Sequence, residues 1–105
     1  MQNKEYILCA AIYVNDSIYG HIHNPKNIEH EGFVVCGRRH HNAIATIKNI
    51  NKNYCVNKYI VTSGFITNLD RFVTREEAWE IAKNANQIIE RPNQIEGILF
   101  SEDLY

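Results

Sequence analysis

The run from Tyr6 to Val14 is apolar at every position and reads Tyr6-Ile7-Leu8-Cys9-Ala10-Ala11-Ile12-Tyr13-Val14. A strand with one face in water alternates apolar and polar residues, whereas a strand covered on both faces is apolar throughout. The run therefore predicts a central, two-sided strand. With 105 residues, of which 45% are hydrophobic, the chain has room for a single domain with a modest core.

Short strands and two helices are predicted around this central strand. Four apolar residues at helical spacing predict a helix over residues 38–50; they are Ala43, Ile44, Ile47 and Ile50. The other predicted segments are a turn at 15–17, strands at 18–23, 32–36, 58–63 and 97–100, and a loop at 65–73. This order predicts an α+β fold, a small mostly antiparallel sheet with two helices packed largely on one face.

The second helix carries the clearest local signal of the chain. Thr74 and Glu77 have the spacing of a capping box, in which each side chain accepts a hydrogen bond from the backbone N–H of the other residue. Such a helix start contributes about 1 kcal/mol to stability. The predicted buried stripe is Ala78, Ile81, Ala82 and Ala85, and Asn86 suits a left-handed residue after the helix.

Four of the five arginines lie in two short runs at predicted helix starts, namely Arg38, Arg39, Arg71 and Arg75. A cation in the first helical turn opposes the helix dipole at a cost of about 0.3–1 kcal/mol, whereas an anion is favoured there. Guanidinium forks and the N–H groups of a helix start together suit a phosphate. The runs therefore predict an anionic ligand. The alternative is surface pairing with Glu29, Glu31, Asp70 or Glu76.

The overall charge restricts the kind of partner. A net charge of -1 argues against a protein that coats a long nucleic acid, because such binding needs a strongly basic face. A small anion needs only local positive charge. The first residues lack a signal-peptide pattern and no apolar run approaches membrane-spanning length. We therefore expect a cytoplasmic protein with no membrane partner.

The chain has three cysteines, which are Cys9, Cys36 and Cys55. Their number is odd, and no two of them have the Cys-x-x-Cys spacing. In a cytoplasmic protein this pattern predicts free, mostly buried thiols rather than disulfides or zinc ligands. Cys36 paired with His40 or His41 offers a nucleophile and a base. Because Cys36 ends an apolar strand, a buried thiol is the favoured interpretation, and no catalytic residue is expected.

Two histidine pairs raise the question of a metal site. His40 and His41 are adjacent on a predicted helix, so their side chains point about 100° apart and do not converge on one ion. His21 and His23 share a face of a predicted strand, but no third ligand is evident. We expect neither a metal nor any other cofactor.

Four fragments of the chain carry a family resemblance. They are Cys9-Ala-Ala-Ile12, Gly32-Phe-Val-Val-Cys-Gly-Arg-Arg-His-His-Asn42, Gly64-Phe-Ile-Thr67 with Arg71-Phe-Val-Thr-Arg-Glu-Glu-Ala78, and Ser101-Glu-Asp-Leu-Tyr105. In this order the chain resembles the Thoeris anti-defence sponge proteins of bacteriophages, the first type described. It departs from that pattern at Thr74, where Asp is expected, and at Asn86, where Gly is expected. Both substitutes preserve the local conformation, since Thr caps a helix and Asn tolerates positive φ.

The resemblance implies an oligomer in the host cytoplasm that captures cyclic ADP-ribose isomers made by host TIR enzymes, without chemical turnover. Some members of that family also bind cyclic trinucleotides. Such a ligand needs cations for its phosphates, a flat surface for adenine and polar groups for ribose hydroxyls. The predicted ligand-binding residues are Arg38, Arg39, Arg71 and Arg75 near the phosphates, Phe65 and Phe72 for the base, Thr67, Asn68, Glu102 and Asp103 for the hydroxyls, and His40. For both phenylalanines the alternative is a core position, and for Phe72 the core is favoured.

Two other functions remain open at this point. One is a small nucleotide hydrolase or transferase that uses His40 or His41 as general base. The other is a protein-binding inhibitor whose arginines meet acidic residues of a host factor. The apolar content is high for so small a sheet with two short helices, so we also expect a homodimer or a higher homo-oligomer.

Overall fold

The computed structural model describes residues 4–19, 24–28, 31–52 and 60–105. Within these residues the elements are β1 (Ile7–Tyr19), β2 (Glu31–Gly37), α1 (His40–Ile50), β3 (Val61–Thr67), β4 (Phe72–Thr74), α2 (Arg75–Asn84) and a 3-10 turn (Ser101–Asp103). The strands form one antiparallel sheet in the order β2-β1-β3-β4. The predicted α+β fold is confirmed.

Strand β1 lies between β2 and β3, which confirms the central strand predicted from the apolar run. Both of its faces contain fully buried residues, Ala10 and Ile12 on one and Ala11 on the other. The turn predicted at 15–17 is wrong, because β1 continues to Tyr19 and absorbs the irregularity as a register shift against β2. Of the hairpin partner predicted at 18–23, residues 18 and 19 belong to β1, and residues 20–23 lie outside the described residues.

Both helices pack on the sheet face that carries Ala10 and Ile12. Helix α1 follows β2 almost directly and forms one buried cluster with Ile12, Val14, Ala43 and Ile47. Helix α2 forms the other with Ile7, Ala10, Phe65, Val73, Ala78, Trp79, Ala82 and Leu99. Ile50, the last residue of α1, is exposed. The sheet therefore holds the two helix starts on the same side of the molecule.

Strand β3 runs through Gly64, whereas the sequence predicted that the strand at 58–63 would stop there. Residues 58 and 59 lie outside the described residues. A Cβ added at Gly64 would lie 2.1 Å from the Val73 carbonyl oxygen and 2.7 Å from the Phe72 ring. Glycine is therefore needed for the close approach of β3 and β4 rather than for a turn. The loop predicted at 65–73 is wrong, since both of its ends are strands.

The start of α2 has the predicted capping box. The Glu77 N–H donates to Thr74 Oγ1 at 3.3 Å, and the Thr74 N–H donates to Glu77 Oε1 at 3.0 Å. After the helix, Asn86 has φ 58°, the left-handed conformation predicted for it. Both departures from the family pattern thus keep their expected conformations.

The last segment of the chain docks on the core without forming a strand, so the strand predicted at 97–100 is wrong. Leu99 is fully buried, and its N–H donates to the Arg75 carbonyl oxygen at 3.0 Å. The 3-10 turn that follows is held by a bond from the Asp103 N–H to the Phe100 carbonyl at 2.9 Å. The terminus is therefore tied down by its apolar residues.

Candidate functional site

The start of α1 lies beside the C-terminal segment, and Arg39 joins the two. The Arg39 backbone N–H donates to the Asn42 side chain at 3.0 Å, which caps the helix. The Arg39 guanidinium donates to Ser101 Oγ at 3.2 Å and to the Tyr105 carbonyl oxygen. Its Nη1 also lies 3.6 Å from the Glu102 carboxylate. Glu102 of the acidic tail therefore pairs with Arg39.

Two guanidinium groups lie close to the Tyr105 ring. The Cζ atom of Arg39 lies 5.0 Å from the centre of the ring, and that of Arg38 lies 6.0 Å from it. The phenolic O–H donates to the Arg38 carbonyl oxygen. Burial raises the pKa of the Tyr105 phenol above its ordinary value, so the ring stays neutral at pH 7. An aromatic face of this kind attracts both cations.

The start of α2 approaches the same segment through Arg75. Its Nη1 donates to the Leu99 carbonyl oxygen at 2.9 Å, and its Cζ lies 4.8 Å from the centre of the Phe100 ring. Burial lowers the pKa of Arg75 below its ordinary value. A guanidinium nevertheless remains charged in proteins at neutral pH, so Arg75 contributes a positive charge here.

His40 is the first residue of α1, and its side chain contacts β3. Its Nε2 lies 2.8 Å from the Gly64 carbonyl oxygen, and its ring meets Phe65 edge to face with centroids 5.0 Å apart. Because a carbonyl only accepts, Nε2 carries the proton. Burial lowers the pKa of the imidazole, and Arg75 acts in the same direction while the Gly64 contact and Glu102 oppose it. His40 is therefore neutral at pH 7.

We call Arg38, Arg39, His40, Arg75 and Glu102 the helix-start cluster. All five were predicted from the sequence as ligand-binding residues. The structure brings them together because both helices begin on the same side of the sheet and the segment 99–105 runs between those beginnings. The Glu102 carboxylate interacts with Arg39 and with Arg75, and Arg38 approaches the same segment at the Tyr105 ring. The arrangement can attract an anion that competes with Glu102.

Asp103 has a different position from its neighbour Glu102. Its side chain is fully buried and accepts from the Arg91 Nε at 2.6 Å, from the Phe100 N–H at 2.8 Å and from Gln94 at 3.0 Å. These contacts fix the turn that presents Glu102. Arg91 was not singled out from the sequence, because a turn of the type Arg91-Pro92-Asn93 gives no sign of a long-range ion pair.

A second group of predicted residues has no described contact with the helix-start cluster. It consists of Thr67, Asn68 and Arg71. Arg71 binds the Glu5 carboxylate through two bonds of 2.8 and 2.9 Å, and Thr67 Oγ1 donates to it at 2.7 Å. Arg71 and Thr67 lower the pKa of the Glu5 carboxyl below its ordinary value. Asn68 accepts from the Tyr6 N–H at 2.7 Å. This group holds residues 4–6, which precede β1, against the end of β3.

The two phenylalanines predicted to stack on a base are both buried. Phe65 is 0% exposed and belongs to the core around α2. Phe72 is 7% exposed, its ring centre lies 6.0 Å from that of Tyr13, and Asn27 bonds both of its backbone polar groups. A ligand would reach either ring only by displacing the residues that cover it.

The expected burial of the cysteines is wrong for Cys36, which is exposed, while Cys9 is half-buried. Cys36 is exposed because it lies on β2, an edge strand. Both thiols are free. The described residues do not include Cys55, His21, His23 or Glu29. Among the residues that are described, no group of three or more His, Cys, Asp or Glu residues is placed to hold a metal ion.

Comparison with protein families gives one match, to the model of the phage T4 y16D protein, over residues 6–105. The chain belongs to the phage T4 y16D protein family. Comparisons with curated proteins and with solved structures found no match. The family match includes the whole helix-start cluster. No helix in the described ranges of this y16D family member is long and apolar enough to cross a membrane.

Proposed function

We propose that this protein is a phage anti-defence sponge that binds cyclic ADP-ribose signalling molecules and sequesters them without cleaving them. The observation that carries the proposal is the convergence of Arg38, Arg39 and Arg75 on one C-terminal segment. Membership of a phage protein family and the resemblance to the Thoeris sponge proteins support the same function.

The charge of the cluster suits the diphosphate of such a ligand. Arg39 is held by the buried Ser101 hydroxyl and, nearer the surface, by Glu102 and the Tyr105 carbonyl, which a ligand can replace. A phosphate group offers the same guanidinium stronger, bidentate bonds. In the proposed complex the ligand phosphates replace Glu102 beside Arg39, and Arg38 and Arg75 add positive charge.

The base requires an accessible aromatic surface. Since Phe65 and Phe72 are buried, the nearest such surface is Tyr105, which is exposed and already lies against two guanidiniums. Stacking of a base on an aromatic ring contributes about 1–3 kcal/mol. We therefore assign the adenine to Tyr105 in the proposed complex. Arg71, Thr67 and Asn68 take part only if the ligand displaces Glu5 and residues 4–6.

Sequestration requires affinity and copy number, and no reactive group. The Nε2 proton of His40 is already directed at the Gly64 carbonyl, which leaves that nitrogen unable to act as a base. Because Nδ1 keeps its lone pair, this contact alone does not separate the sponge from a hydrolase that uses His40. No cofactor or catalytic residue enters the proposal.

The protein is proposed to act as a homodimer or a higher homo-oligomer. Several large apolar side chains are exposed, among them Tyr6, Leu8, Ile89 and Ile95. A two-fold partner is the usual cover for such residues. Light scattering at micromolar concentration should report at least twice the chain mass of 12.2 kDa.

The function is tested by incubating the protein with a cyclic ADP-ribose isomer, removing unbound ligand, denaturing the complex by heat and analysing the supernatant by chromatography. The sponge returns the ligand intact. A hydrolase or transferase would return a product. Failure to retain any isomer, or any cyclic trinucleotide used as a second probe, would instead favour an inhibitor that binds a host protein.

A further inference from the structure

The two edges of the sheet differ in how their backbone groups are bonded. At the β4 edge, the Asn27 side chain donates to the Phe72 carbonyl oxygen at 2.5 Å and accepts from the Phe72 N–H at 2.8 Å. An amide side chain thus takes the place of a further strand there, and the segment 24–28 closes that edge. The other edge of the sheet is β2.

The hydrogen-bond pattern of β1 shows which backbone groups of β2 face outward. The Asn15 N–H donates to the Ile60 carbonyl oxygen at 2.8 Å, which continues the pairing of β1 with β3. Residues of a central antiparallel strand bond its two neighbours alternately. Odd-numbered residues of this part of β1 therefore bond β3, and even-numbered residues bond β2. Val35, which is paired with Ile12, accordingly bonds β1.

Val34 and Cys36 flank Val35, so their N–H and C=O groups point away from β1. Within the part of the chain that the structure describes, no residue bonds these four groups. Before this stretch, the Gly32 carbonyl oxygen accepts from the Asn24 side chain at 2.9 Å. We call residues 34–36 the open stretch of β2.

The open stretch has no residue that would keep another strand away. Natural edge strands are protected by Lys, Pro or inward-pointing charges. Residues 32–37 read Gly-Phe-Val-Val-Cys-Gly and contain neither a charge nor a proline. Cys36 is exposed and Val34 is half-buried. A second copy of the chain is the partner that is present in every solution of the protein, and it presents the same open stretch.

We propose that two copies of the protein pair through β2, antiparallel across a two-fold axis at Val35, into one continuous sheet with four strands from each copy. In this register Val34 is opposite the partner's Cys36, and Cys36 is opposite the partner's Val34. Each of these two pairs exchanges two backbone hydrogen bonds, so the interface uses all four open groups of each copy. The proposal rests on the homo-oligomer of the proposed function and assigns the surface that forms it.

The position of the axis follows from the same pattern. Opposite residues of an antiparallel pair both point their backbone groups into the gap or both away from it, so the two-fold axis passes through a residue. With the axis at Val34, Cys36 would face Gly32, whose carbonyl oxygen already has a partner. With the axis at Cys36, Val34 would face Arg38, whose carbonyl oxygen also has one. Of these three positions, the axis at Val35 pairs every open group.

The side chain at the axis suits the contact. Val35 is half-buried and packs against the cluster that α1 forms with β1. Two copies of Val35 would meet as a pair without hydrogen bonds, whose Cα atoms are about 4.5 Å apart. This apolar pair extends the cluster under α1 across the two-fold axis.

The first test removes an outward N–H without removing a bond to β1. Val34→Pro lacks that N–H, and proline is tolerated on an edge strand where the N–H faces solvent. In light scattering this variant should have half the mass of the natural protein. The matched control Val34→Thr keeps the N–H and a β-branched side chain and should keep the natural mass. Circular dichroism verifies that both variants are folded.

The second test fixes the register. Val35→Cys in a Cys36→Ser background places two thiols at the axis, on Cα atoms about 4.5 Å apart, within the range of about 4.4–6.8 Å that a disulfide bridges. Mild oxidation should give a covalent dimer in which peptide mapping finds residue 35 linked to residue 35. Ser63→Cys in the same background lies on the same sheet face but on β3, and it should not form a dimer linked through its new thiol.

Hydrogen exchange of the natural protein decides the proposal even if a variant fails to fold. The Val34 and Cys36 amides should exchange at least about tenfold more slowly in concentrated than in dilute protein. The Val35 amide, which bonds β1, should be protected in both. Fast exchange of Val34 and Cys36 in a solution of oligomers would overturn the β2 interface and leave the homo-oligomer standing. A monomer that retains the ligand would also overturn it, and would leave the sponge function standing.

Discussion

Arg39 and Glu102 form an ion pair with Nη1 and the carboxylate oxygen 3.6 Å apart, at the point where the start of α1 meets the C-terminal segment. Glu102 is the more exposed partner, with 55% of its side chain accessible against 22% for Arg39. Glu102 is therefore paired with the guanidinium group to which the proposed anionic ligand would bind. The consequences of this competition can be measured.

Replacing Glu102 with Gln should strengthen the binding of cyclic ADP-ribose. An exposed ion pair contributes about 0.2–1 kcal/mol, so release of Arg39 should raise the affinity by up to about fivefold in calorimetry. Glu96→Gln, a change at an exposed residue with the same loss of charge, should leave the affinity unchanged. Weaker binding by the Glu102→Gln variant would place Glu102 among the groups that contact the ligand.

Arg39→Ala and Arg71→Ala should have different effects although both arginines are ion-paired. Loss of Arg39 should weaken binding by about 1.5–3 kcal/mol, the range for hydrogen bonds to charged groups. Loss of Arg71 should leave binding unchanged and lower the free energy of unfolding by about 0.2–1 kcal/mol, since its pair with Glu5 is partly exposed. Equal loss of affinity in both variants would mean that both arginine runs contact the ligand.

Asp103→Ala should destabilise the fold, whereas Glu102→Ala should not. Asp103 is fully buried and holds Arg91, Gln94 and the Phe100 N–H. Loss of a hydrogen bond to a charged group costs about 1.5–3 kcal/mol. Urea denaturation of the two variants provides the comparison. Similar unfolding midpoints would show that the turn at 101–103 does not need its internal ion pair.

The stability of the protein should fall as the pH is lowered through 6.5, with His40 as one cause. Burial sets the pKa of folded His40 below its ordinary value of 6.5. The unfolded chain therefore binds the proton more readily, and acid between these two values favours unfolding. His40→Gln should reduce this pH dependence in thermal denaturation, and His41→Gln at the exposed neighbour should preserve it. An NMR titration that gives His40 a pKa of 6.5 or higher would contradict the burial argument.

Elements with a local cause were predicted well. The capping box of Thr74 and Glu77 is confirmed because both residues belong to one helical turn and need no distant partner. The turn predicted at 15–17 is wrong for the opposite reason. Asn15 and Asp16 favour turns in isolation, but β1 is paired on both sides and continues through them, as tertiary pairing overrides local preference.

In the candidate site, too, local features could be predicted from the sequence and contacts between distant segments could not. The arginine runs were recognisable because charge at a helix start is a local anomaly, and Asn86 was recognisable by its tolerance of positive φ. The partners of those arginines could not be recognised from the sequence. Glu5 and Arg91 gave no sequence signal, because an ion pair between distant segments depends on which surfaces the fold brings together.

The sequence by itself determined the central strand, both helices and the α+β class, since apolar periodicity and capping residues act within a few positions. Only the tertiary structure decided that Phe65 is a core residue and that Glu102 faces Arg39 while Asp103 is buried. Each of these facts follows from strand register or from the docking of the C-terminal segment. Such packing depends on the whole chain, because burial is shared among segments that are distant in sequence.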